Sequence, residues 1–341
     1  MTPPRRLPSD FSRSAAYPLF AFDPVQDQAW VLHFEPQDYL RASFLDRRAV
    51  QHRDISGWVV SRAEIEVMLE AMPVPGSAAL PLHWLFHIGH CGSSLVSRIL
   101  DLLPGVLGLR EPLPLLALAH GEGDAATEAW RAPVLALLAR GFADTRAVVV
   151  KPTSVVTTLA PRLLADGGKG CLLWVDLQTW LATMLRDEAL KSGVLDTESL
   201  RLASLDLDVP ATSDGERLAR AWLAEQLRWQ RLSADPAFAS RLLDLDFARF
   251  LADPAGSSAR LAAHYGLEVP ADWARKLEDS GLLTRYAKDE SVQFDATERE
   301  RELASAAARH AGEIAEGIAW AERAITQSGA RELLARLLPK G

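Results

Sequence analysis

Cysteine is nearly absent from this 341-residue chain: Cys91 and Cys171 are its only two. Two thiols cannot build a disulfide scaffold or a cysteine-based zinc site, and a soluble protein of a reducing, cytoplasmic compartment is expected. Long apolar runs are missing as well. No stretch approaches the roughly 18–20 residues that span a bilayer. The opening MTPPRRLPSDF has charge but none of the apolar segment of a secretory signal. Positive charge is in deficit, 37 Lys+Arg against 45 Asp+Glu, for a net charge of −8. A general nucleic-acid binder needs a basic surface to release counterions, so that class is excluded; a local basic pocket for a small anion is not. Apolar residues, in contrast, make up 48% of the chain, which suits a large core in one big domain or two ordinary ones.

Residues 1–28 are proline-rich and aperiodic, the pattern of an arm lying on the surface. WVLHF at 30–34 reads as a strand and residues 37–50 as a helix. Ser61-Arg-Ala-Glu64 fits a capping box that opens a helix ending near Met72, and residues 73–81 are a linker by composition. Beyond it the pattern changes. Short apolar runs at 82–88, 106–109, 147–150, 171–175 and 241–245 alternate with helical segments at about 93–103, 113–120, 125–141, 154–165, 178–191 and 215–233. Runs of that length between helices are strands buried on both faces, hence a parallel α/β sheet flanked by helices. After 254 the chain reads as wholly helical, with a long segment at 296–327 and a short final helix. The expected organisation is an N-terminal extension, 1–75, packed on a core domain, 80–341.

The most informative residues are HIGHCGSSLVSRIL, 87–100. An apolar strand runs into Gly89-His90-Cys91-Gly92-Ser93-Ser94 and an amphipathic helix follows at once. Glycines let the backbone turn and approach a ligand, and the freed N–H groups at the helix start favour an anion. Ser93 and Ser94 add hydroxyl donors. A nucleotide triphosphatase loop would need Gly-Lys-Ser/Thr; here Gly92 precedes Ser93 and no lysine is near, so magnesium-dependent NTPase chemistry is not expected. No metal site is expected either. His83 and His87 face one side of a strand but stand about 13 Å apart, at roughly 3.3 Å per residue, too far to share an ion.

The loop and three later segments resemble the sulfotransferase family, which uses 3′-phosphoadenosine-5′-phosphosulfate (PAPS) on a phosphate-loop fold without a metal. His90-Cys91-Gly92-Ser93 sits in the register of that family's loop. Leu103-Pro104-Gly105-Val106 and Arg110-Glu111-Pro112 look like the passage that follows it. VVVKPTS (148–154) resembles the lysine-containing element of tyrosylprotein-type members. In LLWVDLQTWLATML (172–185), Asp176 and Thr183 match the 3′-phosphate element, but Val175 stands where the family has arginine. LLDLDFARFLADPAGSSARLAAHYGLEVP (242–270) looks like the late strand and helix, and RYAKDESVQFD (285–295) corresponds in position to the loop that closes over the nucleotide.

What the resemblance implies is a three-layer phosphate-loop α/β fold with a largely helical C-terminal part. Gly89, Cys91, Gly92, Ser93 and Ser94 would hold the 5′-phosphosulfate, Glu111 would be the base, and Lys151 and His90 would stabilise the transfer. Thr183 would contact the nucleotide, and Arg186, Arg285 or Lys288 would supply the charge that Val175 lacks. The acceptor would be a small molecule, a peptide or a glycan. Two rival readings stand beside this one: a phosphotransferase using another nucleotide on the same fold, and a catalytically inactive nucleotide- or partner-binding protein.

Overall fold

Apolar runs without alternation build the centre of the molecule. A computed structural model describes residues 6–51, 55–70, 80–203, 205, 207–286, 289–293 and 296–339. The expected linker at 73–81 and the helix end near Met72 fall almost wholly outside those residues, as does Lys288. Ten strands are present among the described residues: β1 (Leu19–Asp23), β2 (Gln28–Leu32), β3 (Gly57–Ser61), β4 (Leu82–His87), β5 (Val106–Arg110), β6 (Ala147–Lys151), β7 (Gly170–Trp174), β8 (Leu242–Asp246), β9 (Arg285–Tyr286) and β10 (Asp289–Gln293). Five of them form the parallel sheet that the sequence predicts, in the order β5-β6-β4-β7-β8. Every residue of β6 and β7 is buried, since helices cover both faces and leave no side for polar residues. β4 is the middle strand, so the 89–94 loop leaves the centre of the sheet's carboxyl edge, where open α/β sheets place ligands.

The predicted helices exist but several are broken. Residues 37–50 form two short helices, Pro36–Arg41 and Arg47–Val50, because Asp46 caps a new start by accepting from Arg48 N. Residues 125–141 divide into Ala125–Glu128 and Arg131–Leu138. The 154–165 segment begins as a 3-10 turn, Ser154–Leu159. Asp187 splits the 178–191 segment by capping Glu188–Leu195, and the long C-terminal segment breaks at His310. The region after 254 is not wholly helical: β9 and β10 pair there as an antiparallel ribbon.

Residues 6–28 are not a surface arm. Phe11, Ala15, Leu19 and Phe22 are buried in the same apolar cluster as the central sheet. β1 pairs with β2, and β2 with β3, in a separate antiparallel sheet. Buried Arg140 holds the irregular stretch in place, donating to Phe11 O and to Tyr17 O (2.7 Å). Aperiodic, proline-rich sequence rules out a helix but not burial, provided that a side chain satisfies the carbonyls.

Candidate active site

The loop after β4 turns through three left-handed residues, Gly89 (φ +88°), His90 (φ +51°) and Gly92 (φ +85°). Gly92 then caps the helix Ser93–Leu100. No described backbone carbonyl accepts from the N–H groups of Cys91, Gly92, Ser93 or Ser94. N–H groups without a carbonyl partner at a helix start are where an anion is favoured. Ser93 and Ser94 are buried, yet their hydroxyls bond to none of the described residues. Trp180 pins the loop by donating from Nε1 to Gly89 O (2.8 Å). The Cys91 thiol points inward to Leu173 O (3.3 Å), and burial pushes its pKa up to about 12, so Cys91 offers its backbone and not a nucleophile.

The glycines serve a different purpose from the expected one. A Cβ on Gly92 would fall 2.1 Å from the Phe247 ring, and one on Gly89 would lie 3.1 Å from Ser154 Oγ. Their open faces are filled by the protein's own side chains, and a ligand would meet the N–H side only.

His87, at the end of β4, accepts from Gly89 N at Nδ1 (3.0 Å) and therefore donates from Nε2 to Pro152 O (2.9 Å). Burial, with the Lys151 charge adding to it, holds this imidazole well below its ordinary pKa and hence neutral. It ties the loop to the end of β6. There Lys151 is paired in register with Arg110 of β5, and each is 1% exposed. Glu111 follows Arg110 in a left-handed conformation (φ +53°), its N–H donating to Lys151 O (2.6 Å). Lys151 Nζ donates to Glu111 Oε1, and Glu111 Oε2 bonds to none of the described residues. The expected trio thus separates into a joined pair and an exposed neighbour: Glu111 and Lys151 meet side chain to side chain, and His90 is exposed at the tip of the loop.

The other expected contacts are scattered. Thr183 is buried on the helix Leu177–Leu185 and its hydroxyl donates back to Thr179 O (2.9 Å). Arg186 ends that helix and pairs with Glu302 (2.6 Å). Arg285 is exposed in β9. Val175 is buried, so nothing at that position carries charge.

Four groups lie at the site that sequence alone did not bring there. Phe44 stands between two cations, with the Arg48 guanidinium 3.7 Å from its ring centroid and Lys151 Nζ 5.5 Å away. Arg110 fastens that N-terminal segment beside Glu111, donating from Nε to Ala42 O (2.9 Å) and from its other nitrogens to Tyr39 O and Asp101. Behind the loop, Arg201 donates to Ser154 Oγ (2.8 Å) and pairs with Glu225 (3.0 Å), which also pairs with Arg228 (3.2 Å). Arg299, on the helix Ala296–Arg309, lies 5.5 Å from the centroid of Phe247, the ring that closes on Gly92. No local spacing links any of these to the loop; only the Ser61–Glu64-type caps and strand ends carry local signals.

No protein-family model matches the chain, and no curated protein matches it. Among the described residues no helix is long and apolar enough to cross a membrane. The chain is similar to solved sulfotransferases. One from Alicyclobacillus acidocaldarius aligns at 16% identity with a TM-score of 0.39, covering 72% of this chain and 97% of that one. A sulfotransferase from Mycobacterium avium aligns at 12% identity with a TM-score of 0.40, covering 73% and 81%. A mouse sulfotransferase complexed with PAP aligns at 12% identity with a TM-score of 0.36, covering 82% and 97%.

Proposed function

We propose that this protein is a sulfotransferase that moves a sulfuryl group from PAPS to a hydroxyl or amine. The observation that carries the reading is the Glu111–Lys151 ion pair at the sheet's carboxyl edge, next to a left-handed loop whose Cys91–Ser94 N–H groups donate to no described backbone carbonyl. The residues fit such a donor at its phosphosulfate end, where the Cys91–Ser94 N–H groups and the two serine hydroxyls would hold it. PAPS would supply an activated sulfuryl group whose bond to the 5′-phosphate oxygen breaks as the acceptor oxygen or nitrogen bonds to sulfur, the electron pair leaving with the phosphate.

Glu111 takes the acceptor's proton on Oε2, the oxygen that Lys151 leaves open. Lys151 donates to the oxygen on which charge builds, and so do the loop N–H groups. His90, at the loop tip, adds a further donor. Glu111→Gln keeps size and hydrogen bonding but removes proton acceptance, so turnover falls by roughly 10²–10⁴ while nucleotide affinity barely moves. Lys151→Ala lowers turnover and also weakens binding. Acceptors are first found by screening small molecules, peptides and glycans with labelled PAPS. Wild-type turnover by Glu111→Gln on any of them would remove Glu111 as the base.

Val175 favours a second reading, a phosphotransferase on the same fold, because a 3′-phosphate is best held by a bidentate guanidinium. Calorimetry separates the two. Binding of adenosine 3′,5′-bisphosphate that survives chelator supports the sulfotransferase; binding of ATP only with magnesium supports the rival.

A further inference from the structure

Gly89, where β4 turns into the loop, is held by side chains from three elements. His87 Nδ1 accepts from its N–H (3.0 Å), Trp180 Nε1 donates to its carbonyl (2.8 Å), and Ser154 Oγ stands 3.1 Å from where a Cβ would lie. Ser154 is itself held by Arg201, which donates to its hydroxyl oxygen (2.8 Å). His87 differs from the other two in reaching a second anchor. Its Nε2 donates to Pro152 O (2.9 Å), the carbonyl next after Lys151. The ring is 4% exposed and flat, with no rotatable bond between its two nitrogens. Loop and strand end therefore cannot shift against each other without breaking one of the two bonds. Among side chains, only a neutral imidazole offers an acceptor and a donor at two separate positions of one rigid plane. Burial first, and then the charges of Lys151, His90 and Arg201, disfavour a second proton, which would abolish the acceptor.

We infer that His87 is a positioning residue for the proposed transfer, bridging the loop and Lys151 as one rigid unit. By taking the Gly89 N–H for itself, it leaves the N–H groups from Cys91 onward as the ones presented to an anion. By bonding to Pro152 O, it sets the distance between those groups and the end of β6. The inference rests on the phosphosulfate reading above and adds the residue that keeps the two halves of that site in register. A group gripped by both halves at once gains from such preorganisation, since a misplacement of about 1 Å can cost ~10²-fold in rate.

Two amides divide the work of the imidazole. In His87→Asn the side-chain oxygen takes the place of Nδ1 and can accept from Gly89; in His87→Gln the amide nitrogen takes the place of Nε2 and can donate to Pro152 O. Each variant loses one hydrogen bond, so their melting temperatures are expected to fall by similar amounts. Calorimetry on the full chain with adenosine 3′,5′-bisphosphate is expected to split them. His87→Gln weakens the affinity roughly 10-fold, about one hydrogen bond, and His87→Asn restores most of it. Affinities that fall alike, or not at all, overturn the inference and leave the loop reading standing, because a residue with only a structural role gives no such split. Should either variant fail to melt cooperatively, NMR on the isotope-labelled wild type decides. A coupling across the hydrogen bond from the Gly89 amide to an unprotonated His87 Nδ1, with both signals shifted by the nucleotide, supports the inference; no coupling or no shift overturns it. If the wild type does not bind the nucleotide, the phosphosulfate reading fails and the inference with it.

Discussion

Glu111 is a long side chain held at φ +53°, a conformation that costs a non-glycine residue about 1–3 kcal/mol and persists only where its surroundings impose it. The surroundings are the Lys151 carbonyl and ammonium, both fixed at the end of β6. Glu111→Gln keeps the strain and leaves a buried lysine without its counter-charge, so unfolding free energy should fall by about 1–3 kcal/mol. Adding Lys151→Met should restore part of the loss. Urea denaturation of both single variants and the double measures this; strictly additive losses would mean that the two side chains do not act as a unit. Both residues are legible in the sequence because each sits where an apolar run stops at a charged residue. Gly92 is legible only as a turn, since the ring that fills its open face lies 155 residues away by chain number (247 − 92). Arg299 carries no local signal at all, as its position depends on how the last long helices pack.

The segment from Tyr39 to Arg48 shows how an element can be fixed by one side chain. Arg110 reaches back from the end of β5 to three of its carbonyls, those of Tyr39, Leu40 and Ala42, and pairs with Asp101. The Arg110 and Asp101 side chains are 1% and 8% exposed. Removing the guanidinium strands a buried carboxylate and unties the segment that carries Phe44 and Arg48. Arg110→Ala is therefore expected to cost about 3–5 kcal/mol. Chemical denaturation gives the value, and a loss below 1 kcal/mol, within the ordinary range of exposed pairs, would show that the contact is incidental. The strands of the central sheet were legible because burial on both faces writes itself as an unbroken apolar run. The helix breaks at Asp46 and Asp187 were not, since an aspartate inside a periodic stretch looks the same whether it faces water or caps a new turn.

Across the whole molecule, buried neutral histidines set a pH dependence. Burial pushes His83 down to about 4, and His87 and His264 are lowered for the same first reason. Below about pH 6.5 the unfolded chain binds protons that the folded chain refuses, so stability falls as pH drops from 6.5 toward 4. Asp101 and Asp176, raised by burial, act in the opposite sense at the lower end of that window. His83→Gln keeps an acceptor for Lys169 N and should flatten the decline of melting temperature between pH 6.5 and 5; an unchanged slope would take His83 out of the account. At this scale the sequence reveals the sheet and its flanking helices, but not that residues 6–51 share its core, because aperiodic backbone has no signature for burial.

The Arg140 and Arg110 anchors also bear on how the chain is made. Synthesis runs from the N-terminus, so Phe11, Tyr17 and Tyr39 leave the ribosome well before the arginines that donate to their carbonyls. At about 5–20 residues per second, the interval between Phe11 and Arg140 is on the order of ten seconds. For that time the aromatic-rich segment lacks the guanidinium groups that hold its irregular carbonyls, and it becomes a natural client for a chaperone that shields nascent apolar chain.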